Sequence, residues 1–244
     1  MVVIGVIASG INTVAGGGSL ISFPFLTLGV GIPSLQANAT NSASLWPGSL
    51  AGALGFKDLL HKTQRYFLTL AVPTLIGSTL GAWLLTISPT KTFDSVIPFL
   101  ILLASVLLVV QPKIKERARK NDRTTPLWLG VAIQFLVATY GGYFGAGMGL
   151  MMLGSFALYM EGNIHELNAV KNWLGLIVNL VASIFLALKG LVMWAPFVAL
   201  TAGSLVGGFL AAKYSQRVDS DKLRVLIAAY GFMMTVYFFM RAFA

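Results

Sequence analysis

The sequence predicts an all-α polytopic membrane protein made of two homologous repeats, with about eight hydrophobic segments in all. Of its 244 residues, 57% are hydrophobic and only 10% are charged, whereas a soluble domain carries roughly 25% charged residues. Several apolar runs reach about twenty residues, the length at which a helix crosses the hydrocarbon core. Polar and glycine motifs of the first half recur in the same order in the second half.

The internal repeat has a period near 130 residues. Asn38-Ala39 falls on Asn168-Ala169, and the segment AGGGSL at 15–20 falls on GAGMGL at 145–150. Repeats of this size are common in secondary transporters. We therefore divide the chain into an N-terminal membrane repeat, a basic cytoplasmic linker predicted to be an exposed loop, and a C-terminal membrane repeat, at 1–111, 112–126 and 127–244.

Residues 1–30 and 127–159 open the two repeats and admit two interpretations. As one helix, thirty residues extend ~45 Å, which exceeds the ~30 Å hydrocarbon core and requires a tilt. The glycines at 16–18 and at 145, 147 and 149 favour a break in each segment instead. A broken segment would form a re-entrant hairpin, in which two half-helices return to the side that they entered.

Three full spans are predicted after the opening segment of each repeat. The corresponding apolar runs are 34–56, 66–87 and 95–111 in the first repeat, and 167–188, 191–212 and 223–240 in the second. The second span of each repeat carries a pair of glycines four residues apart, Gly77/Gly81 and Gly203/Gly207. Small residues at this spacing are typical of contacts between membrane helices.

The distribution of basic residues favours inverted repeats. If the opening segments are hairpins, thirteen basic residues share one side of the membrane and three lie on the other; if they span, the division is eleven against five. Short loops rich in Lys and Arg prefer the cytoplasm. We therefore expect three full spans plus one broken or re-entrant helical segment in each repeat, with both termini outside. The sequence does not exclude the alternative of parallel repeats. The net charge of +9 is assigned to this topology and not to nucleic-acid binding.

The composition leaves little room for catalysis or for a cofactor. The chain has no cysteine and only two histidines, which lie in different loops. Its eight acidic residues all fall in or beside predicted loops, whereas a cation pump normally carries carboxylates within the membrane. We therefore expect no enzyme, no metal and no cofactor. Amides, hydroxyls, backbone N–H groups and one lysine remain, and this set suits an anion.

Two groups of residues make up the predicted substrate site. In the glycine runs, a half-helix would direct free N–H groups and the positive end of its dipole towards the membrane centre. Near the starts of two later helices, polar side chains at membrane depth are expected to face the bundle interior. These residues are Gly16, Gly17, Gly18, Ser19, Asn38, Asn41, Gly145, Gly147, Gly149, Asn168, Lys171, Asn172 and Asn179.

Each group also has an alternative explanation. Glycine runs allow close helix packing. Lys171 can snorkel to the headgroups or pair with Glu166, the nearest carboxylate in the sequence. Asn179 can bond a neighbouring helix. The residues alone leave these alternatives open.

A family resemblance is carried by two segments, AGGGSLISFPFLTLGVGIPSLQANATNSASLWPGSLAGAL and NAVKNWLGLIVNLVASIFLALKGLVMW. They resemble the two repeat signatures of the sulfite exporter TauE/SafE family, and the resemblance covers nearly the whole chain. It implies an inner-membrane transporter for small oxyanions or sulfur-containing organic anions such as sulfite or sulfonates. It also implies a role for the polar signature positions, here Asn38, Thr40, Asn41, Asn168, Lys171, Asn172 and Asn179. The second glycine run departs from the usual pattern at Ala146 and Met148.

Together these observations predict a multi-pass transporter of the cell (inner) membrane that exports sulfite, a sulfonate or a related anion. Transport would proceed by alternating access around a midplane site between the repeats. The rival hypotheses are a non-transporting scaffold or assembly protein of the membrane and an anion channel. The expected partners are a small anionic substrate and the lipid bilayer, with no nucleic acid; a homo-oligomer is left open.

Overall fold

The computed structural model describes residues 1–120, 126–214 and 220–243, and over these ranges the chain contains helices and no strand. The all-α prediction is confirmed. The helices are α1 Val2–Val14, α2 Ser19–Pro24 with a π-helical continuation Phe25–Gly29, α3 Ser34–Gly55, α4 Lys57–Ile87, α5 Thr90–Lys120, α6 Leu127–Tyr143, α7 Met148–Tyr159, α8 Ile164–Leu188, α9 Trp194–Tyr214 and α10 Ser220–Phe243.

Five of the described helices, α4, α5, α8, α9 and α10, are long and apolar enough to cross a membrane. Helix α3 is 22 residues long but is not one of the five, so the prediction of an apolar run at 34–56 was wrong. Its amide and hydroxyl side chains lower its hydropathy, and they are buried within the protein, where polar groups at membrane depth belong. The chain is a multi-pass membrane protein.

The opening segment of each half breaks at its glycine run. Gly16 has a φ of 84°, and Gly145 and Gly147 have φ values of 77° and 75°. This left-handed region is one that glycine enters at no steric cost. The interruptions favoured by the sequence are therefore present, between α1 and α2 and between α6 and α7.

Both interrupted segments fold back as hairpins. Gly130 near the start of α6 lies against Tyr159 at the end of α7, so closely that an added Cβ would be 2.8 Å from the ring. In one continuous helix these residues would be ~43 Å apart. In the first half, Ile4 of α1 and Leu28 after α2 line the same apolar groove. The long tilted helix therefore describes neither segment.

The helices of the two halves are interleaved. Helix α1 packs against α9 and α6 packs against α4, while α3 packs against α9 and α8 packs against α4. Helices α3 and α8 also pack on each other, as do α5 and α10. Asn179 of α8 contacts Ser49 of α3, and Ser183 further along α8 reaches back to Ser42. Helices α3 and α8 are therefore antiparallel, and their starts lie at opposite ends of the pair.

The paired glycines of α4 and α9 lie in these helix contacts. A Cβ added at Gly81 would be 2.0 Å from the Thr139 carbonyl oxygen of α6, and one added at Gly207 would be 2.1 Å from the Val6 carbonyl oxygen of α1. Gly77 and Gly203 pack on the same two neighbours. The interpretation of both pairs as helix–helix contacts is confirmed.

Helix α5 runs into the segment predicted as an inter-repeat loop. It ends at Lys120, so the loop prediction is wrong for 112–120. The segment is rich in Lys, Arg and Glu, which are good helix formers, and the helix of the preceding span continues through it. The linker residues 121–125 lie outside the described residues.

We expect Gly81→Ala to lower the stability of the protein by about 1–3 kcal/mol, because the new methyl group meets backbone atoms of α6 that no rotamer can move. The matched control is Gly154→Ala in α7, where an added Cβ meets nothing within 4 Å. That change should be neutral or stabilise by up to about 1 kcal/mol, since alanine is the better helix former. Thermal unfolding of both variants in detergent measures the difference, and equal effects would contradict the close α4–α6 contact.

Candidate functional site

The tips of the two hairpins meet inside the protein. A Cβ added at Gly16 would be 2.7 Å from the Cα of Gly149, and one added at Gly149 would be 2.8 Å from the Cα of Gly16. The glycines and the serine of both tips are buried, except that Gly145 is partly exposed. Two glycine runs that are far apart in the sequence are therefore in direct contact in the structure. We call residues 15–19 and 145–149 the tip junction.

The tip junction is rich in backbone N–H groups without a partner. Some of these donors lie in the turns and others at the starts of α2 and α7. The N–H groups that donate no hydrogen bond within the described residues are those of Gly17, Gly18, Ser19, Ala146, Gly147 and Gly149. Unpaired N–H groups and the positive end of a helix dipole attract negative charge. The backbone alone thus makes this place suitable for an anion.

Lys171 of α8 is buried beside the tip junction, with 3% of its surface exposed. Its Cδ would lie 3.2 Å from a Cβ added at Gly149. Its Nζ donates to the carbonyls of Asn12 at 3.2 Å and Thr13 at 2.8 Å. These carbonyls belong to the last turn of α1, the negative end of the helix dipole, which favours a cation. Lys171 therefore does not snorkel, and two of the three ammonium donors are used.

Glu166 is not the partner of Lys171. Its Oε2 accepts a hydrogen bond from the Asn163 N–H at 3.0 Å, while Asn163 Oδ1 accepts one from the Glu166 N–H at 3.1 Å. This reciprocal pair is a capping box at the start of α8. The other carboxylate oxygen lies 3.6 Å from Lys62 Nζ. The suggested pairing of Lys171 with Glu166 was wrong, and the capping pattern NIHE at 163–166 was the sequence signal against it.

Asn38 and Asn41 of α3 lie close to the hairpins. Asn38 Nδ2 donates to the carbonyl of Tyr143, the last residue of α6, at 2.9 Å. Asn41 Oδ1 accepts a hydrogen bond from the hydroxyl of Ser22 in α2. Each amide keeps one buried atom without a partner in the described structure, Oδ1 in Asn38 and Nδ2 in Asn41. Buried polar atoms are rarely left unpaired, so each of these two atoms has the capacity for one further hydrogen-bond partner.

Thr40 and Asn179 make contacts that hold helices together. The Thr40 hydroxyl accepts a hydrogen bond from the Met193 N–H at 3.0 Å, which fixes the connection between α8 and α9. Asn179 Nδ2 donates to the Ser49 hydroxyl at 3.1 Å and joins α8 to α3. For Asn179, the alternative of a bond to a neighbouring helix is confirmed. A contact of either side chain with substrate stays a prediction.

Asn168 and Asn172 lie near the start of α8, away from the asparagines of α3. Asn168 Oδ1 and Asn172 Nδ2 are buried without partners in the described part of the chain. The starts of the antiparallel helices α3 and α8 lie at opposite ends of the pair. No described hydrogen bond joins Asn168 or Asn172 to Asn38 or Asn41. The amides near the starts of α3 and α8 therefore form two groups. Asn38 lies against the end of α6, whereas Asn168 and Asn172 share the first half of α8 with Lys171.

Backbone carbonyls that were not predicted from the sequence also belong to the site. The carbonyls of Asn12 and Thr13 accept from Lys171, and the carbonyl of Tyr143 accepts from Asn38. All three residues lie just before a glycine run. A helix that ends at glycine leaves its last carbonyls unpaired, so the position before each run was the available signal.

Comparison with known proteins gives one consistent result. The family model described as "Sulfite exporter TauE/SafE" matches residues 1–238. A "Probable membrane transporter protein" of Haemophilus influenzae is 29% identical over 95% of this chain and 90% of its own length. "Probable membrane transporter protein YfcA" of Escherichia coli K12 is 27% identical over 92% and 81% of the two chains. "Probable membrane transporter protein ORF9" of Sinorhizobium is 25% identical over 91% and 84%. No solved structure matches the chain.

Proposed function

The chain belongs to the sulfite exporter TauE/SafE family and is a membrane transporter, and on that premise we propose that it exports sulfite, a sulfonate or a related sulfur-containing anion. The observation that carries this proposal is the tip junction. Unpaired backbone N–H groups of two buried turns lie there, and the buried side chain of Lys171 packs against Gly149 of the junction. No carboxylate within the described residues bonds to that ammonium.

The donor set of the tip junction matches what a small oxyanion needs. An oxyanion that leaves water loses strong hydrogen bonds, and entry into the protein is costly unless new donors replace them. Backbone N–H groups and an ammonium supply charge-assisted hydrogen bonds to oxygen. The six unpaired N–H groups and the remaining Lys171 donor provide more than one partner for each oxygen of a sulfite or sulfonate group.

The packing supports an inverted repeat with alternating access. Lys171 of the second half bonds to the end of α1 in the first half, and Asn38 of the first half bonds to the end of α6 in the second. The helix pairs are related in the same way, since α1 of the first half packs on α9 of the second, and α6 of the second half packs on α4 of the first. A rocking motion of one half against the other would change the contacts of both hairpins together. Such coupled movement around a fixed site is the mechanism that inverted repeats favour.

The test is anion flux in proteoliposomes with a set membrane potential. We expect saturable efflux of sulfite that an inside-negative potential accelerates, because moving one charge is worth ~2.3 kcal/mol per 100 mV. Linear, unsaturable flux would indicate a channel instead. If sulfite, sulfonates and other small oxyanions all leave at the rate of protein-free liposomes, the anion proposal is wrong.

A further inference from the structure

The broken helices α1 and α6 end in the same way. The Ile11 carbonyl accepts the N–H groups of both Ala15 and Gly16, which are four and five residues later. The Tyr140 carbonyl likewise accepts the N–H groups of Phe144 and Gly145, which are four and five residues later. In both places the chain then turns away into the tip junction. The carbonyls that follow the shared acceptor are left without an intrahelical donor.

In α1 a cation occupies the position beside these carbonyls. The first two residues after Ile11 are Asn12 and Thr13, and their carbonyls accept the ammonium of Lys171. The first two residues after Tyr140 are Gly141 and Gly142. Both are buried, and their carbonyls accept no hydrogen bond within the described residues. The end of α6 thus keeps unpaired the two oxygens that correspond to the partners of the ammonium.

Asn38 adds a third acceptor at the end of α6. Its Nδ2 is held by the Tyr143 carbonyl at 2.9 Å, which places its Oδ1 close to the same helix end. The residue is 1% exposed, and its Oδ1 has no partner in the described structure. Three buried acceptors therefore gather at the negative end of a helix dipole. Left unpaired, each would carry a desolvation cost.

We propose that the end of α6 binds a free alkali-metal cation, with Asn38 Oδ1 and the carbonyls of Gly141 and Gly142 as protein ligands. Half-helix ends and unwound carbonyls coordinate such cations in membrane proteins. The position corresponds to that of the Lys171 ammonium at the end of α1. One half of the chain then carries a tethered cation, and the other half carries an exchangeable one. This cation site goes beyond the proposed anion transport and does not require it.

The test is thermal unfolding of the purified full chain in detergent, with choline chloride replaced by NaCl or KCl at constant ionic strength. A ligand that binds only the folded state raises the unfolding midpoint in a saturable manner. We expect Na⁺ or K⁺ to do so and choline, which is too large for the site, to have no effect. If neither Na⁺ nor K⁺ differs from choline, the cation site does not exist.

Variants of Asn38 locate the effect. Asn38→Leu removes a ligand and should abolish the cation response, whereas Asn38→Asp keeps an oxygen ligand and adds negative charge. Asn38→Asp should reach half-saturation at about one tenth of the wild-type cation concentration, since one charge near a bound ion is worth at least a factor of ten. Ser44→Ala, which removes another buried polar group of α3, is the control and should keep the wild-type response. A wild-type response in Asn38→Leu would overturn the assignment; if that variant does not fold, an unchanged or weakened response in Asn38→Asp would do so.

This measurement is independent of the flux assay. A saturable cation response in a protein that moves no anion would remove the proposed function and leave the cation site. Anion flux without any cation response would remove the cation site and leave the proposed function.

Discussion

Lys171→Gln is expected to lower sulfite flux at least tenfold. The variant loses the ammonium of a side chain that packs against Gly149 of the tip junction and has one donor not used by α1. A hydrogen bond to a charged group contributes ~1.5–3 kcal/mol, which corresponds to a factor of roughly 10–150 in affinity. The glutamine amide can still donate to the carbonyl of Asn12 or Thr13, so most of the contact with α1 survives. Lys189→Gln, at an exposed position after α8, should leave the flux unchanged.

The readout must separate a role in binding from a role in folding. Loss of one donor to buried carbonyls costs about 1–3 kcal/mol of stability, so less folded protein is expected in Lys171→Gln whatever the role of the lysine. Flux is therefore measured per folded protein and over a range of sulfite concentrations. A lysine that contacts the anion raises the KM when it is replaced. An unchanged KM, with only the yield reduced, would remove Lys171 from the site.

The helix breaks and the close helix contacts were predicted from local sequence patterns. Glycine runs marked both helix breaks because left-handed backbone conformations at Gly16, Gly145 and Gly147 favour glycine. The glycine pairs of α4 and α9 marked close helix contacts for a similar local reason, the absence of a side chain. The apolar character of α3 was predicted wrongly. A helix that is enclosed by protein does not need an apolar surface, and enclosure is a property of the whole fold.

The residues of the candidate site were named from the sequence, but their contacts were not. The residue types around the tip junction were found because polar groups at membrane depth need a reason. The partner of Lys171 was not found, because it is a pair of backbone carbonyls in α1, and the glycine run that marks the helix end does not say which side chain will meet its carbonyls. Glu166 was close in sequence but already engaged by Asn163 and Lys62. Tertiary packing therefore decided which charge met which acceptor.

The two hairpin tips differ in charge although they are built alike. The end of α1 faces the amino group of Lys171, and the end of α6 faces the amide of Asn38. A symmetric pair of neutral caps would leave the anion with backbone donors alone. The lysine adds electrostatic attraction in a place where the low dielectric makes each charge effective. If the tip junction binds the anion as proposed, we expect its affinity to depend on Lys171 more than on any side chain of the first half.

The second large effect is expected from Gly16→Ala, which should reduce flux to below about one tenth of the wild-type rate. Alanine at the φ of 84° pays a left-handed strain of ~1–2 kcal/mol. Its Cβ would also lie 2.7 Å from the Gly149 Cα, an overlap of the methyl group with the backbone of the other tip that costs about 1–3 kcal/mol or pushes the tips apart. Separation of the tips would move apart the N–H groups that we propose bind the anion. Backbone strain alone would not move the tips apart, so the effect of the strain and the effect of the steric overlap can be measured separately.

Gly190→Ala is the control variant that introduces backbone strain without the steric overlap. Gly190 has a similar φ of 70° but lies in the connection between α8 and α9, where an added Cβ meets nothing within 4 Å. We expect this variant to lose a comparable part of its stability to backbone strain and to transport at the wild-type rate per folded protein. If Gly16→Ala also transports at the wild-type rate per folded protein, contact between the hairpin tips is not needed for transport, and the anion must bind elsewhere in the bundle. If Gly190→Ala fails as badly as Gly16→Ala, strain and not the meeting of the tips explains the loss.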